Sequence, residues 1–306
     1  MRVAIMGSGG IGGYVGGRLA ASGNDVAFIA RGAHLAAMQT EGLRVKSPAG
    51  DLHLRNTIAV ERPKDIGPVD VVVFSVKLWD TDGAAAMLQP LMGPSTRVIT
   101  FQNGIDSAGM IGRHVPLEAV VQASIYISAL IEAPGVVRHP GGPDRLVVDR
   151  KGGDAVVAAF HAACRASVGL TCELSDAIDI VLWEKFVRLT SFSASTGLMR
   201  SGIGPILANL EARAFVAALL DEALAVAAAE GHALKPGFRD DALAFFAGFP
   251  RGNRASMTED LLHGRRLELP WLSQRVHELG KKHGIPTPSH TAAFRALGLY
   301  VNGGPP

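Results

Sequence analysis

Short β-branched runs alternate with helical stretches through the first half of the chain. RVAIM (2–6) precedes an Ala/Gly-rich helical stretch ending at Gly23, and DVAFIA (25–30) follows as a second strand. LRVKS and DLHLRNTIAV read as a hairpin or crossover pair. VDVVVFSV (69–76) and TRVITFQ (96–102) bracket a helix expected from about residue 80 to residue 91. The unbroken apolar run VVVFSV suits a strand covered on both faces, as in a parallel sheet. EAVVQASIYISAL, GVVRHP and RLVVD extend the series as further strands. The alternation predicts a doubly wound α/β domain.

After about residue 174 the period changes. Ser175 and Asp176 can cap a long helix, DAIDIVLWEKFVRL, with apolar residues at helical spacing. A second long helix is expected over 205–231, with Pro205 near its start and Gly231 at its end. Further helices are expected over 236–247, 254–264, 270–284 and 288–300. The expected organisation is therefore a Rossmann-like domain over 1–173 and an all-helical domain over 174–306, with no repeat or low-complexity linker. The 205–231 helix reads as core; as an exposed surface it would suit a homodimer.

Composition narrows the function classes. The 306 residues are 48% hydrophobic, enough for two cored domains. Thirty Lys+Arg stand against 28 Asp+Glu, a formal net charge of +2, and no block of five like charges occurs. Nothing therefore suggests a nucleic-acid arm. The four apolar residues from Val3 to Met6 are too few for a signal-peptide core, and Val71–Val76 is far short of a membrane span. A cytoplasmic protein without membrane partners is expected. Cys164 and Cys172 make no disulfide framework and no metal spacing, and read as small buried hydrophobes.

The first candidate chemistry is GSGGIG at residues 7–12. A lone GxGxxG is weak, but this one follows a strand, opens a helix and precedes a second strand at Rossmann distance. Gly7 permits the tight turn, Gly9 lets backbone approach a pyrophosphate, and Gly12 lets the helix lie against the sheet. Ser8, Gly10 and Ile11 complete the cradle, whose amides at the helix start meet negative charge. Where an NAD site commonly has Asp or Glu at the end of the second strand, this chain has Ala30-Arg31, with His34 just beyond. An Arg accommodates a 2′-phosphate, so NADP(H) is favoured. The plain alternative is that Arg31 is an ordinary surface cation.

Three stretches carry polar residues that their surroundings do not require. Lys77, in SVKLWDT, and Asn103, in FQNGID, lie just past the carboxyl ends of two expected strands, where open α/β sheets bind ligands. Asn103-Gly104 taken alone is equally a turn. In LWEKFVRLTSFSAST, Lys185 sits amid Leu182, Trp183, Phe186 and Val187, and shares a helix face with Leu189 and Ser193. It could snorkel to water, or act as a partly buried general acid whose pKa is moved by desolvation. RASMTEDLLHGRRLELPWL adds Ser256 and, twelve residues later, Glu268, which reads as a solvated charge unless linked to Lys185.

Taken together, GSGGIG, Arg31, SVK, QNG, WEK, RASM with its downstream Glu, and HGIPTP resemble the ketopantoate reductase (2-dehydropantoate 2-reductase) family across essentially the whole chain. The resemblance implies a Rossmann domain and a helical domain with the active site between them. It further implies hydride delivery from NADPH to the C2 ketone of a branched 2-oxo acid, as in pantothenate biosynthesis. It makes Lys185 the proton donor and Glu268 the carboxylate that contacts the cofactor side and helps set the charge on Lys185. Asn103 would touch both nicotinamide ribose and substrate, Lys77 the cofactor, Ser256 the substrate carboxylate, and Ala129 the nicotinamide ribose. No metal is implied. Leu189, Ser193 and Ile203 stand where the family has asparagines, with Ser193 left as a substrate contact, so a more apolar 2-oxo acid is expected beside ketopantoate itself. Two alternatives stay open: a non-catalytic NADP(H)-binding sensor, and a hydroxyisobutyrate- or phosphogluconate-type dehydrogenase with a helix-borne Lys.

Overall fold

The computed structural model describes residues 1–304, and the chain divides into two compact units, residues 1–178 and 179–306. The first unit opens with β1 (Arg2–Met6), α1 (Gly10–Ala21), β2 (Asp25–Ile29), α2 (Gly32–Thr40), β3 (Leu43–Lys46), β4 (Leu52–Leu54), β5 (Ile58–Val60) and β6 (Val71–Phe74). It continues with α3 (Thr81–Ala85), β7 (Arg97–Thr100), α4 (Ser107–Ile111), β8 (Val120–Ile125), β9 (Leu130–Ala133), β10 (Val136–Arg138), β11 (Arg145–Asp149), α5 (Ala155–Arg165) and β12 (Thr171–Ser175). The remaining helices are α6 (Ile178–Met199), α7 (Ile203–Ala208), α8 (Leu210–Ala229), α9 (Phe238–Ala247), α10 (Ser256–Leu262), α11 (Ser273–His283) and α12 (Pro288–Leu297).

The main sheet has eight strands in the order β5-β2-β1-β6-β7-β8-β11-β12. Its first six strands are parallel, and β11 runs antiparallel to β8 and parallel to β12. Their order is that of a dinucleotide-binding fold, and the direction of winding reverses between β1 and β6. Both sheet faces are covered. Val3, Ile5, Val71 and Val73 enter one apolar cluster, while Ala4, Met6, Val72 and Phe74 enter another. This is why β6 reads as an unbroken apolar run.

A second sheet, β4-β3-β10-β9, belongs to the same unit. The helix α1 lies between the two sheets, and its glycines divide accordingly. A Cβ on Gly12 or Gly16 would come within 2.8 Å of Ile5 beneath the helix. One on Gly13 or Gly17 would come to 2.8 Å from Val137 or Val45 of the second sheet. The abundance of glycine in α1 is thus a packing requirement on two faces.

Several expected elements are corrected. GVVRHP forms β10 and pairs with β3 in the second sheet, and DLHLRNTIAV splits between the β3–β4 hairpin and β5 beside β2. The helix expected over 80–91 is a short α3 flanked by 3₁₀ turns at Leu78–Asp80 and Gln89–Leu91, since Pro90 cannot donate a helical hydrogen bond. TCELS is strand β12, and Ser175 ends it with its hydroxyl accepting the Ala177 amide at 3.1 Å, ahead of α6. The helix expected over 205–231 breaks at Asn209, whose side chain caps α8 by accepting the Ala212 amide at 2.9 Å. Both cysteines are free and buried. Among the described residues, 179–304 carry no strand, and no helix is long and apolar enough to cross a membrane.

Candidate active site

The glycine turn stands at the winding reversal, where β1 hands the chain to α1. Gly7 has φ +96°, a region that L side chains avoid, and a Cβ there would sit 2.8 Å from Val76. The buried Ser8 amide donates to the Ile29 carbonyl at 3.0 Å, tying the turn to β2. Gly9 precedes α1 and accepts from the Gly13 amide at 2.8 Å. Gly10 passes under the loop before β9: a Cβ on it would lie 2.1 Å from the Ala129 carbonyl oxygen. Ile11 and Ala129 are half-buried and both pack on the main cluster. Gly12 backs onto the Gly7 carbonyl, where a Cβ would come to 2.3 Å. Gly9 differs from these neighbours, because a Cβ on it would meet nothing within 4 Å. The turn therefore keeps one open side at the start of α1, the cradle that a pyrophosphate requires. These residues fit a dinucleotide.

Arg31 immediately precedes α2 and is 72% exposed. Its guanidinium donates to the Asp80 carboxylate at 3.3 Å. Asp80 closes the SVKLWD segment after β6, so the end of β2 and the end of β6 meet through this ion pair. Lys77 is exposed in the same segment, its ammonium 5.5 Å from the Trp79 ring centroid.

Asn103 is half-buried in the bend after β7, and Gly104 turns the chain with φ +80°. Two residues of this crevice, Ser75 of SVK and Gln102 of QNG, lie inside quoted motifs, yet sequence reasoning gave neither a role. Ser75 donates to the Gly7 carbonyl at 2.9 Å and fastens β6 to the glycine turn. Buried Gln102 donates to the Val76 carbonyl at 3.0 Å and the Thr81 hydroxyl at 2.7 Å. It thereby ties the loop bearing Asn103 to the loop bearing Lys77. The available signal was a lone amide directly after an apolar strand.

In the second unit, Lys185 lies half-buried in the second turn of α6, between buried Trp183, Phe186 and Val187. Burial lowers its pKa to about 8, and the Glu268 carboxylate opposes that fall. Glu268 is 6% exposed, seated between fully buried Leu267 and Leu269 at the head of a 3₁₀ turn. The Leu267 amide donates to the Val301 carbonyl at 3.0 Å, and the Trp271 amide to the Glu268 carbonyl at 3.1 Å. A carboxylate pinned in the core beside an amine is not a solvated surface charge. The pair is an amine whose pKa lies at about 8 beside a buried carboxylate.

The other residues of this unit are placed as follows. Ser256 is exposed at the first position of α10, which is fixed to α6 by a 2.7 Å hydrogen bond between the Thr258 and Thr196 hydroxyls. Ser193 is wholly buried on α6, and its hydroxyl has no hydrogen-bond partner among the described residues. Leu189 is half-buried, while Ile203 is fully buried at the start of α7 with its amide donating to Asn253 at 2.9 Å.

Comparison with known proteins identifies the family and the fold. Residues 3–152 match the family described as Ketopantoate reductase PanE/ApbA, and residues 177–300 match Ketopantoate reductase PanE/ApbA C terminal. A 2-dehydropantoate 2-reductase of Mesorhizobium japonicum is 29% identical over 96% of both chains. The crystal structure of a PanE/ApbA family ketopantoate reductase from Ralstonia eutropha superposes with a TM-score of 0.89 at 30% identity, over 98% of each chain. The ternary structure of D-mandelate dehydrogenase with NADH and anilino(oxo)acetate shares the fold, with a TM-score of 0.89 at 23% identity over 98% of each chain. With both halves matched in order and nearly end to end, this chain belongs to the ketopantoate reductase family of oxidoreductases.

Proposed function

We propose that this protein reduces a 2-oxo acid, 2-dehydropantoate or a more apolar relative, to the 2-hydroxy acid with NADPH. The observation that carries the reading is the Lys185–Glu268 pair, an amine lowered to about 8 by burial and kept charged by a buried carboxylate. The dinucleotide supplies the hydride when bound. Gly9 and the first amides of α1 would hold its pyrophosphate, Arg31 its 2′-phosphate, and Lys77, Asn103 and Ala129 its nicotinamide half. The Lys185 ammonium donates a hydrogen bond to the substrate's C2 carbonyl oxygen and passes its proton there as that carbon accepts the hydride. The neutral amine then recovers a proton from solvent. A donor with its pKa near the working pH is both mostly protonated and a competent acid. Ser256, Asn103 and Ser193 are the proposed substrate contacts. Leu189 and Ile203 replace hydrogen-bonding positions of the family with aliphatic ones, which favours a substrate with fewer hydroxyl groups.

The deciding experiment follows NADPH oxidation against a panel of 2-oxo acids that includes 2-dehydropantoate, with Lys185→Ala as control. Turnover that vanishes in the variant while NADPH affinity is kept supports the reading. Tight NADPH binding by the unmodified protein with no turnover on any acid would make it a non-catalytic NADP(H) sensor. Phosphate preference is tested separately, because the Asp80 carboxylate beside Arg31 pushes against a 2′-phosphate and leaves NADH as the second reading.

A further inference from the structure

His34 in α2 has no part in the chemistry above, yet it stands between the two loops that shape the dinucleotide cradle. The Gly135 amide, in the turn between β9 and β10, donates to its Nδ1 at 3.0 Å. An Nδ1 that accepts must carry a lone pair, so a neutral ring bears its hydrogen on Nε2. That Nε2 is buried and has no hydrogen-bond partner among the described residues. Burial lowers the pKa of this ring, and the Ser8 backbone of the glycine turn opposes that fall. Gly135 is itself fixed: its carbonyl accepts the Arg44 amide at 2.9 Å, and its φ is +73°. The β9–β10 hairpin that it turns begins at the loop whose Ala129 carbonyl presses on Gly10.

We propose that His34 is a positioning residue of the dinucleotide cradle, its Nδ1 anchoring the Gly135 turn of the hairpin that follows the Ala129 loop over Gly10. One ring then fixes the hairpin whose preceding loop carries Ala129 across Gly10 at the start of α1. The proposal takes only the identity of the ligand from the function proposed above.

The test has one arm that needs no catalysis. Long-range ¹H–¹⁵N correlation on the ligand-free protein should show His34 as the Nε2–H tautomer, with the Gly135 amide slow to exchange. The Nδ1–H tautomer, or a fast-exchanging Gly135 amide, would overturn the proposal, and this arm stands even if no dinucleotide binds. The second arm measures Kd for NADPH and for ADP-ribose, which has the pyrophosphate without the nicotinamide. His34→Ala should weaken both by about tenfold, the scale of one hydrogen bond. His34→Asn keeps an acceptor near Nδ1 and should recover part of that loss. At saturating NADPH, kcat and the KM of the oxo acid should be unchanged. Affinities within twofold of the unmodified protein in both variants would overturn the proposal. If His34→Ala does not fold, the tautomer and the His34→Asn affinities decide the matter.

Discussion

Arg31 and Asp80 face each other at 3.3 Å, joining the corner after β2 to the corner after β6. Arg31 is the residue proposed to receive a 2′-phosphate, so in the ligand-free protein its guanidinium already has an anion. An exposed pair of this kind is weak and exchangeable. Asp80→Asn should tighten NADPH by roughly two- to fivefold and leave NADH nearly unchanged, in keeping with the small energies of such pairs. Arg31→Asp should weaken NADPH far more than NADH. Fluorescence titration with both dinucleotides checks this, and equal losses for the two would remove Arg31 from phosphate recognition.

The Lys185–Glu268 pair predicts a pH profile. With the ammonium as the proposed proton donor, reduction should be at full rate well below pH 8 and fall about tenfold per unit well above it. Glu268 opposes the lowering of that pKa, so Glu268→Gln should move the falling limb to lower pH. Rates of NADPH oxidation from pH 6 to 10, with enzyme saturated in both ligands, provide the measurement. A limb that stays in place in Glu268→Gln would uncouple the two groups.

Gly9 and Gly10 are adjacent and should behave oppositely. Gly10→Ala drives a methyl into the Ala129 carbonyl at 2.1 Å, and overpacking of this sort costs about 1–3 kcal/mol. Gly9→Ala meets nothing within 4 Å, so thermal stability should change little while dinucleotide affinity drops. Melting temperature and NADPH Kd measured on both variants separate packing from ligand space.

Gln102 should matter more to stability than its side chain suggests. Gln102→Leu leaves the Thr81 hydroxyl and the Val76 carbonyl without this donor, at a cost of about 1–3 kcal/mol per buried group. Urea unfolding should show a lower midpoint with an unchanged slope. KM for NADPH should rise as the loops carrying Lys77 and Asn103 loosen.

What the sequence disclosed, and what it hid, follows the range of the interactions involved. The glycine turn, the both-faces-buried β6 and the apolar setting of Lys185 are local, and each was legible in a window of a few residues. The second sheet was not, because β3 finds its parallel partner β10 about ninety positions away, and no periodicity reports such pairing. The breaks at Pro90 and Asn209 were visible as residue types but overridden by the apolar pattern around them. His34, Gln102 and Asp80 owe their roles to neighbours that only the fold supplies. The core position of Glu268 was hidden by the charged HGRR run before it.

The helix α1 has five glycines in its first eight residues, and each costs roughly 1 kcal/mol of helix stability relative to alanine. As an isolated peptide it would scarcely be helical. Its amides point in a common direction only while two sheets grip it from opposite sides. The proposed affinity for a dinucleotide therefore depends on both sheets as well as the turn, and six transplanted letters, GSGGIG, would not confer it on another scaffold.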